Sequence, residues 1–449
     1  MLAFGGNGND TLRVASSVTQ GVTLVGEVGN DLLIGGSGND SLGGGDGNDW
    51  LNGGEGNDDL SGSHGNDVYA FGDAITNQTD TVWEYAGAGE GTSDLLHFNA
   101  MTVAVTVNLT SDTALATMAR RIVQTGEAGQ AANFENINGG SANDFITGNA
   151  VNNSIYGNGG NDTLNGGDGN DYLDGGQGSD LLKGGNQDDV LIGGAGDDYL
   201  KGEAGNDVLQ GGDGFNTLAG GTGDDAFTFS DATVNQIDTV IELVGEGADT
   251  LNFAALTTAV DANLTSDTLL ATMNHRIVWT RDVGQAAYFE NVTGGSGNDQ
   301  VTGNAADNIL RGNGGNDTMS GGSGNDVLLG GDGNDTLKGI SGRNILAGGT
   351  GADLLLGGTD EDILLAGVLK DESDPLLKAL RTEWTQPTPY VTRVNNLLPY
   401  ASSTYIADDA GADYLTGAAG LDWFLANSLQ DVVTDKTVDE LFTHIDGWI

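Results

Sequence analysis

The chain has 449 residues, 77 of them Gly and none of them Cys, with 65 acidic residues against 15 basic ones and a formal net charge of −50. That length allows about two to four domains, yet so much glycine beside so few aromatic residues is not the inventory of an ordinary compact enzyme. The charge repels nucleic acid and anionic headgroups, which need a basic footprint, and the lack of Cys removes disulfides and thiolate metal sites. Cations are the partners such a chain seeks.

In chain order, Met1 to Val14 shows neither the basic nor the apolar region of a classical signal peptide, and no later stretch has the roughly 18 apolar residues of a membrane span. Close behind Met1, Gly5 opens GGNGNDTLR, an isolated repeat unit ending at Arg13. A solenoid end needs a cap, so this opening predicts the C-terminal piece of something longer.

The unit G-G-x-G-[N/D]-D-x-U-x, with U apolar, then organises the chain. Five copies run from Gly26 to Ala70, ten from Gly139 to Thr228, eight from Gly294 to Leu365, and two imperfect ones from Asp408 to Leu425. Of these 26 units, all have an apolar eighth position, 22 have Asp at the sixth and 21 have Gly at the fourth. Such phase separates a folded repeat from a flexible linker. Three residues x-U-x suit a short strand with one side chain inward, and the glycines before them suit a turn of positive φ. Two units make one coil, so turns two units apart stack at about 4.8 Å. Carboxylates piled at that spacing require counterions. Carboxylate plus carbonyl oxygens make a hard, all-oxygen shell that suits calcium, whereas 4 His and no Cys leave zinc and copper too few ligands.

The motif resembles the haemolysin-type calcium-binding repeat of RTX proteins, and the resemblance covers about half of the chain directly. It implies an all-β fold, a right-handed parallel β-roll or β-helix solenoid in several calcium-binding arrays, with a small mixed C-terminal segment. It also implies that the sixth-position Asp supplies the side-chain ligand and the glycine turn the carbonyls. Carried over residue by residue, the expected metal ligands are Asp31, Asp40, Asp49, Asp58 and Asp67 in the first array. In the second they are Asp144, Asp162, Asp171, Asp180, Asp189, Asp198, Asp207 and Asp225, and in the third Asp299, Asp317, Asp326, Asp335, Asp353 and Asp362. Sandwiched turns give about 12 to 17 calcium ions. Units 148–156 and 303–311 lose both the fourth-position Gly and the sixth-position Asp, and units 211–219 and 339–347 carry Phe215 with Asn216 and Arg343 with Asn344, so weak or empty sites are expected there. The resemblance further implies a secreted, extracellular protein, associated with the cell surface in some readings, exported unfolded by type I secretion machinery and folded by calcium outside.

The stretches 71–138 and 229–293 are copies of each other: LTSDTALATM matches LTSDTLLATM, and GQAANFEN matches GQAAYFEN. Alternating patterns such as DTVIEL and HRIVWT predict wider β-coils, with a short helix as the alternative over Ser266 to Met273. Glu84 with Glu242 and Glu135 with Glu290 recur, and the expectation is turn capping or a further cation rather than paired-carboxylate catalysis. His97 is replaced by Asn252 and His275 by Arg120, so no imidazole site is shared, and His64 and His444 are read as solvated or packing residues. No H-E-x-x-H and no G-K-[S/T] occurs, which excludes a zincin and a phosphate loop.

The tail 366–449 is expected to cap the array and to carry a C-terminal export signal. A helix start is predicted at Ser373 to Pro375, a second short helix over Val391 to Leu398 and an amphipathic stretch over Val438 to Ile445. The domain reading is therefore an array over 1–70, a spacer over 71–138, an array over 139–228, a spacer over 229–293, an array over 294–365 and the tail. The expected function is calcium binding with a structural, stalk or cell-surface role and no catalytic residues. The alternatives are a calcium-rigidified adhesin with a cell-surface or matrix partner, and a fragment of an extracellular polysaccharide-active enzyme.

Overall fold

A nine-residue unit with one apolar side chain cannot bury it alone, so each strand stacks on the strand two units away. In the computed structural model, which describes residues 1–84, 93–267, 269–401, 406–407, 409, 411–426, 431–435 and 441–444, this stacking builds parallel β-solenoid coils in a nearly all-β chain, 48% strand and 6% helix. The chain divides into two compact units, Met1–Gly223 and Asp224–Ile449.

In the first unit the strands follow the repeat, with a shift of register between His97 and Ala100 within the first spacer. Leu33, Leu51, Tyr69, Leu96, Ile137, Ile155 and Leu173 are successive Cα partners in parallel pairs, and Leu164, Leu182, Leu200 and Leu218 form the facing row. All are buried. The unit that looked isolated, Gly5 to Arg13, belongs to the first coil: Leu2–Asn7 and Thr11–Arg13 pair in parallel with Thr23–Val28 and Leu32–Ile34. Residues 14–22 are a short insert on one edge, which hid the period.

In the second unit the inward rows run through Leu251, Val292, Leu310, Leu328, Leu346, Leu364 and Phe424, and through Ala262, Val301, Met319, Leu337, Leu355 and Leu415. Both spacers continue the parallel coil, as the alternation predicted, but each also inserts an antiparallel excursion. Ala116–Met118 pairs antiparallel with Val105–Asn108 and Arg121–Thr125, and Ala271–Met273 does so with Asp261–Asn263 and Arg276–Thr280. The helix considered for Ser266 to Met273 therefore ends in a strand, with residue 268 outside the described residues.

The tail's two helices are α1, Asp374–Trp384, with Pro375 in its first turn, and α2, Tyr390–Leu397. They lie along the side of the coils of the second unit. Leu377, Leu380, Trp384, Val394 and Leu397 bury against Val327, Leu329, Ile345, Ile363 and Leu365. The sequence marks this face: in VLL, ILA and ILL the outward positions flanking the core residue have turned apolar. Arg343 at a fifth position also belongs to the docking, since its Nε lies 2.8 Å from Glu361, which Arg393 meets at 2.6 Å. The chain then re-enters the solenoid through Tyr414–Ala418 and Trp423–Ala426. Of the stretch Val438 to Ile445, Leu441–His444 is a strand and 438–440 and 445 lie outside the described residues.

Candidate metal centres

Each turn presents its sixth-position Asp to the coil before it. The Asp31 amide donates to Asp49 Oδ1 at 2.7 Å, and Asp49 to Asp67 likewise. On the other edge the pairs Asp40 to Asp58, Asp144 to Asp162, Asp162 to Asp180 and Asp180 to Asp198 span 2.7–2.9 Å. Asp171 to Asp189 and Asp189 to Asp207 repeat this, as do Asp299 to Asp317, Asp317 to Asp335 and Asp335 to Asp353 in the second unit. Asp225 donates to Asp249, Asp326 to Asn344 and Asp362 to Asp422. One carboxylate oxygen thus closes a backbone ladder along each edge.

The other oxygen is left over. Oδ2 of Asp31, Asp49, Asp58, Asp162, Asp171, Asp180, Asp189, Asp317, Asp326, Asp335, Asp353 and Asp362 is buried and accepts no hydrogen bond. Each points beneath the first glycine of its own turn: a Cβ on Gly175 would sit 2.5 Å from Asp180 Oδ2 and 2.7 Å from the Gly193 carbonyl of the next coil. The glycine keeps open a cradle lined by a carboxylate and a carbonyl oxygen. Burial first, then neighbouring carboxylates, push Asp58 and Asp162 up to about 7 and Asp189 up to about 8. Acceptor atoms in this state need a proton or a hard cation, and the donor set is all oxygen, so the residues present fit calcium.

Five turns are built differently. The second-position amides of Gly36, Gly140 and Gly295 donate to Oδ2 of Asp40, Asp144 and Asp299 at 2.6–2.8 Å, and those of Asn149 and Asn304 donate to Asn153 and Asn308 at 2.9 Å. These second positions lack the positive φ found at Gly45 (117°), Glu27 (79°) and Glu203 (83°). All five follow an insert or spacer. Asn149 and Asn304 seal the turn by donating to the Phe134 and Phe289 carbonyls at 2.9 and 2.8 Å, and Asn153 and Asn308 donate to Glu135 and Glu290. The missing Asp and Gly of those two units are therefore a spacer contact.

The ladder also takes in residues outside the three main arrays: Asp10 of the first repeat unit donates to Asp31 and Asp353 to Asp413 of the imperfect units, while Asp58 donates to Asp80 and Asp67 to Asp94, which no nonapeptide marks. Glu135 and Glu290 continue it through the spacers, accepting from Asp94 and Asp249 at 2.9 Å. The remaining signal in sequence is the end of the motif, an acidic residue two before a buried apolar one, as in Asp94-Leu95-Leu96 and Glu135-Asn136-Ile137. Arg121 ion-pairs with Asp80 Oδ2 and donates to the Gly54 carbonyl at 2.7 Å, and Arg276 ion-pairs with Asp238. Both arginines are buried, so each spacer carries a covalent cation on one edge. An exposed second ladder uses position five: the Asn48, Asn66 and Asn170 amides donate to Asn30, Asn48 and Asn152 side chains at 2.9–3.0 Å.

His97 packs edge-on against Trp50 with its ring centroid 5.0 Å away, and His64 pairs with Asp46 at 3.0 Å on the surface. Asp112 and Asp267, equivalent in the two spacers, each accept backbone amides of a 3-10 turn, at Gly129 and Ala131 and at Gly284 and Ala286.

A parallel solenoid whose turns stack buried carboxylates against glycine carbonyls defines a calcium-binding repeat protein. A family model of the RTX calcium-binding nonapeptide repeat, four copies long, matches residues 23–73, 138–230, 293–368 and 402–433 in overlapping stretches, more than half of the chain. The chain belongs to the RTX calcium-binding repeat family. No curated protein matches it. Among the described residues, no helix is long and apolar enough to cross a membrane.

Proposed function

We propose that the chain is a secreted structural module, a stiff stalk or cell-surface element that folds when calcium enters the turns. The observation that carries this reading is the row of buried Oδ2 atoms without donors, repeated in register along both edges. Two carboxylates that meet across a coil repel until an ion lies between them, and calcium outside the cell supplies it. The ligands in this reading are the sixth-position aspartates of the open turns. Asp40, Asp144 and Asp299, already satisfied by their own backbone, contribute little. Export through type I secretion machinery in the unfolded state fits a fold that calcium completes.

Three polar clusters of the spacers recur in the same structural role, which favours structure over catalysis there: Asp112 and Asp267 cap, Arg121 and Arg276 neutralise, Glu135 and Glu290 extend the ladder. A calcium-rigidified adhesin is the second reading. It draws on the second spacer's exposed Val234, Val244 and Val283, 62%, 76% and 93% accessible.

Substitution separates open from closed turns. Asp189→Asn should lower the bound calcium by about one or two ions per chain, measured by equilibrium dialysis at about 1 mM free calcium. Asp40→Asn should cost some stability but leave the count unchanged, because both oxygens of Asp40 already accept backbone amides, Oδ1 from Val22 and Oδ2 from Gly36. Equal losses from both variants, or none from either, would contradict the assignment.

A further inference from the structure

We propose that the junction between an array and the spacer that follows it holds a cation site of a second kind, built by Asp67, Glu84 and Asp94 and again by Asp225, Glu242 and Asp249. It rests on the calcium reading above and goes beyond the nonapeptide, to which Glu84, Asp94, Glu242 and Asp249 do not belong.

Carboxylate oxygens of Asp67, Glu84 and Asp94 all lie within 4.8 Å of one another. The three residues are 0%, 1% and 1% exposed. Tyr69 fixes the arrangement: its hydroxyl accepts the Gly62 amide at 2.7 Å and donates to Glu84 Oε2 at 2.6 Å. Asn133 holds the Glu84 carbonyl at 3.0 Å. The carboxylate is aimed by packing from both sides.

The second junction gives the independent observation. Phe227 stands where Tyr69 does, so no phenol reaches Glu242. Glu242 Oε2 is fully buried and accepts no hydrogen bond, and Oδ2 of Asp249 is in the same condition. The two carboxyl groups are nonetheless within hydrogen-bonding reach of each other. Acceptors that face one another must be joined by a proton or by a cation. Asp225, whose amide donates to Asp249 Oδ1 at 2.8 Å, stands where Asp67 does in the first junction. With carboxylates alone and no nitrogen or sulfur, the ion is hard and divalent.

The test is equilibrium dialysis of the full chain at about 5 mM free calcium, where the arrays are loaded and folded, with bound calcium counted by atomic emission. The proposal expects the count to fall by about one ion after Glu84→Gln and by about two after Glu84→Gln with Glu242→Gln, while circular dichroism reports that the variants still fold. Asp94→Asn, which keeps the Oδ1 acceptor for Asp67, should reproduce the Glu84→Gln loss. An unchanged count in the double Gln variant would overturn the proposal and assign the contact to a shared proton. No ion bound by the unsubstituted chain would instead sink the calcium reading as a whole.

Discussion

Chelating calcium at pH 7.5 is expected to convert most of the chain from β structure to coil, seen as loss of the far-ultraviolet β signal and expansion in small-angle scattering. Asp162, Asp180 and Asp198 stack on successive coils of one edge, and Asp171, Asp189 and Asp207 on those of the other. With free calcium about tenfold above the dissociation constant, each site contributes about 1.4 kcal/mol by linkage. About a dozen sites then exceed the roughly 5–15 kcal/mol by which a domain is ordinarily stable. Magnesium should substitute poorly, because it demands tight octahedral geometry and keeps its waters.

Acid should partly replace the ion. Burial lifts Asp162, Asp317, Asp326 and Asp353 to about 7 and Asp189 and Asp362 to about 8, from the usual 3.8. The folded, calcium-free chain therefore holds more protons than the unfolded chain between these values. Its stability is greatest below about pH 4 and is lost as pH rises through about 6 to 8. Lowering a chelated sample from pH 7.5 towards 5.5 should restore β signal, while the same protons weaken calcium binding. A chelated chain that stays folded at pH 8 would contradict this electrostatic account.

Arg276→Ala should be the most damaging single substitution away from the turns. Arg276 is 1% exposed, ion-paired with Asp238, and its guanidinium lies 5.9 Å from the Phe229 ring centroid. Removing one partner of a buried pair costs about 3–5 kcal/mol, because the other charge stays in a dry site. Thermal unfolding in saturating calcium measures it, and Arg121→Ala should behave alike through Asp80. Calcium well above saturation should recover part of the loss, since the vacated space again offers a lone carboxylate. A change below about 1 kcal/mol would show that the arginines do not neutralise the ladder.

The nonapeptide phase made most of this legible, because each position has one physical task. Leu51 and Leu173 fill the interior, Asp49 and Asp171 close the ladder, and the first glycines leave room for the carboxylate. What stayed hidden lies where spacing breaks but stacking continues. Asp94 and Glu135 hold ladder places 27 and 41 residues beyond their predecessors, so no fixed period marks them, whereas Asp413, 60 beyond Asp353, was marked by its own imperfect unit but not by its place in the stack. The closed turns at Gly36 and Gly295 were equally invisible, since the sequence there is that of an open turn, and the one at Gly140 differs from it only by Ala142 at the fourth position. Only the different surface beneath them changes the φ of the second position. The lateral docking of α1 and α2 was written in the apolar flanks of Leu328, Leu346 and Leu364, a signal that a search for the core position alone passes over.

Anomalous diffraction from crystals grown in excess calcium addresses the stacked carboxylates most directly. Peaks are expected between coils beside Oδ2 of Asp171, Asp180 and Asp189 and of Asp317, Asp326 and Asp335, with none at the amide-capped Asp40, Asp144 and Asp299. Ordered coils without density beside the open-turn aspartates would contradict the account.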